Sequence, residues 1–314
     1  MLRRIVFIIA MVFFLASQAQ AFWIWTPKEK KFVNPKWMAK DSPQEQLAYA
    51  KEIFDSGDYK DAIVEFRALL RHYPEAAEAP EAQFLIGTSL TKLGKLYDAY
   101  LAYQKVIDKY PFTDKMKAVL EQQFAIANSL SDKEVKILGL SFPQQYYAID
   151  IYRKVIENYP YGELAPLCQY KIGMVLKSLG SFTEAKDEFE KLVSAYPESE
   201  WLEPAKYQVG ECASLASLQP DYDQALSKEA KEHFEEFIKK HPDAELSDAT
   251  RQQIQNLTDK EAEKDFAVAQ FYEKQKAYAS AEIYYQDVLK KHPRSVWAEK
   301  SRERMKLLHE EKKL

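Results

Sequence analysis

Apolar positions recur along this chain in a fixed order that ends each time at a Tyr-Pro or His-Pro pair. An alanine stands twelve residues before the proline, an aromatic residue eight before it, and two apolar residues five and four before it. These spacings place the residues on one face of a helix, which the proline then terminates. The six prolines are Pro74, Pro111, Pro160, Pro197, Pro242 and Pro293.

A second motif, apolar-x-apolar-small, precedes each of these helices. It predicts a first helix whose alanine or glycine lets the second helix approach closely, as an antiparallel helix hairpin requires. Gly57, Gly94 and Gly180 mark the turn between the two helices in three of the units. The pattern therefore predicts six helix pairs, followed by a closing helix over about residues 296–312.

The order of Gly, Ala, aromatic residue and Pro resembles the tetratricopeptide repeat, a helix pair with a unit of about 34 residues. The resemblance implies an all-α solenoid over residues 43–314, in which each repeat buries its apolar face against its neighbours. The prolines at 74, 111, 160, 197, 242 and 293 are separated by 37, 49, 37, 45 and 51 residues. We expect the surplus of the longer units to lie between helices, in loops at 131–143 and 218–224.

The first 21 residues have the pattern of an export signal. Arg3 and Arg4 precede an apolar run over 5–16, and Ala19-Gln20-Ala21 is a small-x-small cleavage site. As a helix this run would rise about 18 Å, short of a hydrocarbon core of about 30 Å. We expect cleavage before Phe22, with an uncleaved membrane anchor as the alternative. Phe22 also stands where a lipoprotein would carry Cys, so no lipid is expected there.

Residues 22–42 form a separate aromatic segment. Three of the five tryptophans lie within residues 22–37, and Trp23 and Trp25 alternate with Ile24. Residues 27–31 can turn the chain back, so the segment predicts a small β-hairpin. Two interpretations of this hairpin stay open. It is an interface element that contacts a partner or a membrane surface, or it is a segment that packs on the first repeat.

Composition excludes several classes of function. With 44 Lys plus Arg against 48 Asp plus Glu, the net charge is −4, which gives no basic footprint for nucleic acid. The eight glycines never form G-x-G, so a dinucleotide fingerprint and a Walker loop are both absent. None of the five histidines has metal-ligand spacing, and no G-x-S-x-G occurs. We therefore expect no enzyme, no cofactor and no metal.

Cys168 and Cys212 fall on the predicted first helices of neighbouring repeats, at different heights along them. An oxidising compartment permits a disulfide between them. The favoured alternative is two buried thiols that act as small apolar residues.

The aromatic residues of the first helices are the candidates for a binding site. If they line the groove that first helices form, they make an aromatic row that grips extended apolar peptide side chains. The alternative is that they pack between helices. The row consists of Phe84, Phe124, Tyr170, Tyr207 and Phe266.

Residues 221–295 resemble the C-terminal half of the BamD family, the tetratricopeptide lipoproteins of the outer-membrane β-barrel assembly machine. The most specific part is 257–272, where Val268-Ala269 and Phe271-Tyr272 keep the order of the family. Weaker similarity covers about 43–310. The resemblance implies a non-catalytic scaffold in the periplasm, at the inner face of the outer membrane.

By the same resemblance, the N-terminal repeats receive unfolded barrel precursors and the C-terminal repeats dock on the barrel-forming subunit. Three features depart from the family, namely Phe22 in place of the lipidated Cys, an additional repeat in the middle of the chain, and an end one helix after Pro293, where some relatives continue. A free periplasmic adaptor of the Tol-Pal-associated or pilus-assembly type is the competing class. No sustained heptads precede Ser42, which argues against the Tol-Pal type.

Overall fold

The structure is a computed structural model that describes residues 24–26, 31–33, 39–132, 134–137, 140–217, 224–240, 242 and 246–310. The predicted export signal and Phe22 lie outside these residues. The chain divides into two compact units, which are distinct from the six repeats. The first unit is Met1–Ile126 and the second unit is Ala127–Leu314.

The described residues form thirteen α-helices, which are the six predicted pairs and the closing helix. They are α1 (Pro43–Asp55), α2 (Tyr59–His72), α3 (Ala79–Lys92), α4 (Leu96–Lys109), α5 (Met116–Ser131), α6 (Gln145–Asn158), α7 (Leu164–Ser178), α8 (Phe182–Ala195), α9 (Leu202–Ala216), α10 (Gln224–Lys240), α11 (Leu246–Lys274), α12 (Tyr278–Lys291) and α13 (Val296–Glu310). The all-α solenoid of tetratricopeptide-like pairs is thereby confirmed.

The second helix of every pair ends two residues before its proline, because the residue before a proline disfavours the α conformation. In all six repeats, the alanine and the aromatic residue of the second helix are fully buried. The six aromatic residues at this position are Phe66, Tyr103, Tyr152, Phe189, Phe234 and Tyr285. The interior of the protein is thus built at the position that the repeat predicts.

Small residues of the first helices lie directly against these rings. A Cβ atom added at Gly87 would stand 2.6 Å from Tyr103 Cε1, and one added at Gly173 would stand 2.6 Å from Phe189 Cζ. Such distances are far below van der Waals contact. Glycine is required here because the two helices touch, as the sequence predicts.

The turns between paired helices need a left-handed residue. Gly57, Gly94 and Gly180 have φ values of 90°, 73° and 78°. In the sixth repeat, Lys276 adopts φ 60° at the corresponding position of the turn. Lysine is unusual in this region, so the sequence pattern did not predict this turn.

Buried glutamines connect the helices of three pairs, although the pattern of apolar positions does not predict them. Each glutamine directly precedes the apolar or aromatic residue that opens the first-helix motif. Gln46 donates to the carbonyl oxygen of Glu65 at 3.0 Å, and Gln83 donates to that of Ala102 at 2.8 Å. Gln169 donates to the carbonyl of Glu188 at 3.1 Å. These bonds fix the longitudinal position of one helix on the other.

Two antiparallel hairpins accompany the helices. β1 (Ile24–Thr26) pairs with β2 (Lys31–Val33), which agrees with the predicted aromatic hairpin. The loop predicted at 131–143 is wrong, because β3 (Glu134–Ile137) pairs there with β4 (Leu140–Pro143). Val135, Ile137, Leu140 and Phe142 alternate with polar residues at period two, a pattern typical of strands.

The extra residues of the fifth and sixth repeats lie in different places. Residues 218–223 of the predicted second loop lie outside the described residues, and Gln224 already begins α10. In the sixth repeat the extra residues lie inside α11, which has 29 residues. The expectation that extra residues always lie between helices is therefore wrong for this repeat.

Candidate protein-binding surface

Rings of the first-helix aromatic row rest on the buried rings of the second helices. Ring centroids are 5.3 Å apart for Phe84 and Tyr103, and 5.3 Å apart for Phe266 and Tyr285. The corresponding distances are 5.4 Å from Tyr170 to Phe189 and 5.9 Å from Tyr207 to Phe234. Tilted contacts of this kind are favourable for aromatic pairs. The row is therefore part of the packing within its pairs.

Four members of the row nevertheless keep part of their surface in solvent. Phe84, Phe124, Tyr170 and Tyr207 are half-buried, whereas only 6% of Phe266 is exposed. The exposed parts belong to Phe84 and Phe124 in the first unit and to Tyr170 and Tyr207 in the second. A role for Phe266 would have to act through its packing.

Polar groups surround the two tyrosines of the row in the second unit. Lys177 Nζ lies 2.7 Å from Glu211 Oε2 and donates to Gln208 Oε1 at 2.9 Å. Burial, followed by the nearby Glu211 carboxylate, raises the pKa of both Tyr170 and Tyr207. Both phenols therefore stay protonated near neutral pH and can donate a hydrogen bond to a ligand.

Glu188 lies at the centre of an ionic cluster one residue before the buried Phe189. Its side chain is 9% exposed, and its Oε1 lies 3.1 Å from Arg153 Nη2 and 3.0 Å from Lys191 Nζ. Gln169 donates to its other carboxylate oxygen. Burial raises the pKa of Glu188, but hydrogen bonds from Lys191, Gln169 and Arg153 outweigh it and hold the pKa below the ordinary 4.5.

We expect the stabilisation by Glu188 to be lost in acid. A carboxylate whose folded pKa lies below its unfolded pKa stabilises the protein above the unfolded value, and this contribution disappears as pH falls through the folded value. Urea unfolding of wild type and Glu188→Gln should therefore differ by about 1 kcal/mol at neutral pH and converge below about pH 4.5.

The exposed pair of Lys154 and Glu157 provides the matched control for this measurement. Its side chains are 39% and 63% exposed, so solvent screens the pair. Glu157→Gln should change the free energy of unfolding little at any pH. A gap between wild type and Glu188→Gln that stayed constant with pH would contradict the ionic role of Glu188.

The two cysteines are free and fully buried, Cys168 on α7 and Cys212 on α9. This agrees with the favoured alternative of two apolar thiols. Burial raises the pKa of each thiol to about 12. Neither forms the reactive thiolate near neutral pH.

Three possible metal ligands meet in the second unit. Atoms of Glu190, Glu229 and His233 lie within 4.8 Å of one another. Lys186 Nζ, however, lies 3.0 Å from Glu190 Oε1 and 2.6 Å from Glu229 Oε1. This ammonium group already pairs with both carboxylates, so the cluster is an ion-pair network. The absence of a metal stays a prediction.

Family models match three stretches of the chain. Models described as tetratricopeptide repeats match residues 48–113 and 167–199. This chain contains tetratricopeptide repeats. The YfiO model, described as an outer membrane lipoprotein, matches residues 210–314, which cover the closest BamD-like resemblance. No curated protein matches the chain.

Solved structures are similar to this chain at low sequence identity. A tetratricopeptide repeat protein from Parabacteroides merdae is 15% identical over 84% of this chain and 98% of its own, with a TM-score of 0.36. The C-terminal part of a repeat protein from Cytophaga hutchinsonii is 18% identical over 83% and 88%, with a TM-score of 0.39. The MamA protein is 18% identical over 64% and 92%, with a TM-score of 0.36.

No helix in the described part of the chain combines the length and the apolar character that crossing a membrane takes.

Proposed function

We propose that the protein is a non-catalytic, protein-binding scaffold in the assembly and insertion of outer-membrane β-barrel proteins. It is exported to the periplasm and works at the inner face of the outer membrane. Its partners are the barrel-forming subunit and unfolded barrel precursors. The observation that carries this proposal is the match of the outer membrane lipoprotein model to residues 210–314.

The matched region has the rigidity and the exposed apolar groups that a docking surface needs. Phe266, Tyr285 and Leu308 pack in one core that joins α11, α12 and α13. On the outside, Phe271 and Ile283 are 57% and 61% exposed. Rigid elements with exposed aromatic and aliphatic side chains are typical of protein interfaces. The C-terminal repeats therefore serve as the dock for the barrel-forming subunit.

The precursor is received by the members of the first-helix aromatic row that lie in the first unit. A precursor arrives as an extended chain with unpaired strand edges, which aggregate unless they are covered. In the first unit, Phe84 and Phe124 offer half-buried rings to its apolar side chains. Each aromatic contact contributes roughly 0.5–1.5 kcal/mol beyond area burial, which favours micromolar affinity and tolerance of different precursors.

Replacing Phe84 and Phe124 together with leucine is expected to weaken binding of a peptide that ends in Phe. Leucine keeps most of the volume of the side chain, so the fold should survive. Loss of two ring contacts should lower the affinity between about 5-fold and 150-fold. Titration calorimetry with one peptide ending in Phe and one ending in Ser measures the preference.

Phe112 is 100% exposed in the same unit and provides the control Phe112→Leu. This variant should bind like the wild type. Equal affinity of the wild type for the two peptides would overturn the role of the row. Unfolding of the double variant, seen by circular dichroism, would assign both rings to the interior.

The identity of the partners is tested by affinity capture from crosslinked envelopes, followed by mass spectrometry. Recovery of the barrel-forming subunit supports the proposal, and its loss after truncation at residue 245 would assign the dock to the C-terminal repeats. Recovery of Tol-Pal or pilus-assembly components in its place would favour a free periplasmic adaptor.

A further inference from the structure

A cleft of about 400 Å³ opens in the first unit between α2 and α4, with α3 as its floor. Its apolar lining is aliphatic and comes from all three helices. This lining consists of Leu70, Ile86, Leu90, Leu101 and Ala102. The volume lies within the range of small-molecule sites. The cleft does not include the first-helix aromatic row.

Four cations surround this aliphatic floor. Arg67, Lys95, Lys105 and Lys109 line the cleft, whereas Asp98 is the one carboxylate in the lining. The four cations are exposed, and none of them makes an ion pair within the described part of the chain. The cleft is thus positively charged in a protein whose net charge is −4. A complementary ligand is an anion that also carries an apolar group.

The lining favours a lipid over an acidic peptide. An extended peptide is usually held by side-chain amides or aromatic anchors. The amide nitrogen of Gln83 already donates to the carbonyl of Ala102, and no aromatic residue lines the cleft. What the cleft offers is the accessible aliphatic surface of Leu70 and Leu101 together with lysines, which bind phosphate as compact point charges.

The aromatic hairpin supplies a second element suited to a membrane surface. The rings of Trp25 and Phe32 pack edge to face with centroids 5.2 Å apart, and 49% and 62% of these residues are exposed. Tryptophan is enriched at membrane interfaces. Stable attachment without a spanning helix takes two such signals, for example an apolar anchor plus a basic patch.

We propose that the cleft between α2 and α4 binds an anionic phospholipid, with the phosphate at the lysines and the acyl chain along the aliphatic floor. Together with the aromatic hairpin, it attaches the first unit to a membrane surface without covalent lipid. This inference goes beyond the proposed function, because it concerns lipid contact and not the recognition of barrel precursors.

The test is co-sedimentation of the full chain with vesicles of phosphatidylcholine, either pure or mixed with phosphatidylglycerol. The wild type should bind the mixed vesicles more tightly. Each basic residue near an anionic surface contributes about fivefold in affinity, so Lys105→Gln with Lys109→Gln should weaken binding about 25-fold. Leu101→Ser, at a side chain that is 41% exposed, should also weaken it.

The matched control is Lys60→Gln with Lys117→Gln, which removes two exposed lysines of the same unit from outside the cleft. It should retain nearly wild-type binding. An equal loss in both double variants would reduce the effect to general charge attraction and overturn the site. Failure of the wild type to prefer mixed vesicles, or binding of a polyglutamate peptide in their place, would overturn the lipid. Precursor binding is measured separately with the Phe-ended peptide, so either proposal can fail alone.

Discussion

Replacing Phe189 with alanine is expected to lower the free energy of unfolding by about 3–5 kcal/mol. The Phe189 ring is fully buried, lies against Gly173 and has its centroid 5.4 Å from that of Tyr170. Gly173 has no side chain that can move into the space, so a cavity remains. Denaturation by urea, followed by far-UV circular dichroism, measures the change.

Tyr161 provides the control for this substitution, because it lies in the same unit and is 96% exposed. Tyr161→Ala should change the free energy of unfolding by less than about 0.5 kcal/mol. A loss below about 1 kcal/mol for Phe189→Ala would mean that this ring does not hold α7 and α8 together.

The helix pairs were predictable from the sequence because one spacing of apolar residues recurs in six repeats. Alanine, aromatic residue and apolar pair at intervals of four and three residues fix which face of the second helix is interior. Gly173 and Gly180 carried equally clear signals, the first as a point of close contact and the second as a left-handed turn. Such positions tolerate few alternatives, and therefore the sequence indicates them.

Other features are not indicated by the sequence because their residues depart from the repeat pattern. Lys276 adopts the left-handed conformation that glycine takes elsewhere, and Gln83 is polar yet buried. The hairpin of β3 and β4 is not evident from the sequence, because each strand has only four residues. A short alternating run of this kind is ambiguous without its neighbours.

The candidate sites depend on packing that the sequence does not specify. Whether Phe84 faces a groove or a neighbouring helix is decided by how the two helices cross, and in the structure its half-buried ring packs on Tyr103. The cations of the cleft between α2 and α4 come from separate helices, with Arg67 on α2 and Lys105 and Lys109 on α4. Only the folded hairpins bring them to one cleft.

Replacing Glu273 with alanine is expected to cost about 2–3 kcal/mol. This α11 carboxylate has 13% of its side chain exposed and accepts a hydrogen bond of 2.7 Å from Tyr285 of α12. Arg304 of α13 donates to it through both Nε and Nη2. Burial, followed by the hydrogen bond to Glu273, raises the pKa of Tyr285, so the phenol stays a donor.

Alanine at this position would leave the Tyr285 hydroxyl buried without its acceptor. Arg304 is 40% exposed and would regain water, which is why the expected cost lies below that of a fully buried pair. Urea unfolding gives the cost, and faster amide hydrogen exchange in α13 would locate it. Glu299→Ala is the control, because Glu299 and Arg302 form a pair that is 66% and 59% exposed.

Glu273 joins three helices of the region that matches the outer membrane lipoprotein model. Its loss should therefore also weaken binding at the proposed dock. Glu273→Ala should recover less of the barrel-forming subunit than Glu299→Ala, while vesicle binding by the first unit stays unchanged. Undiminished recovery together with fast exchange in α13 would place the dock elsewhere on the chain. A cost below about 0.5 kcal/mol would show that solvent screens this cluster as it does a surface pair.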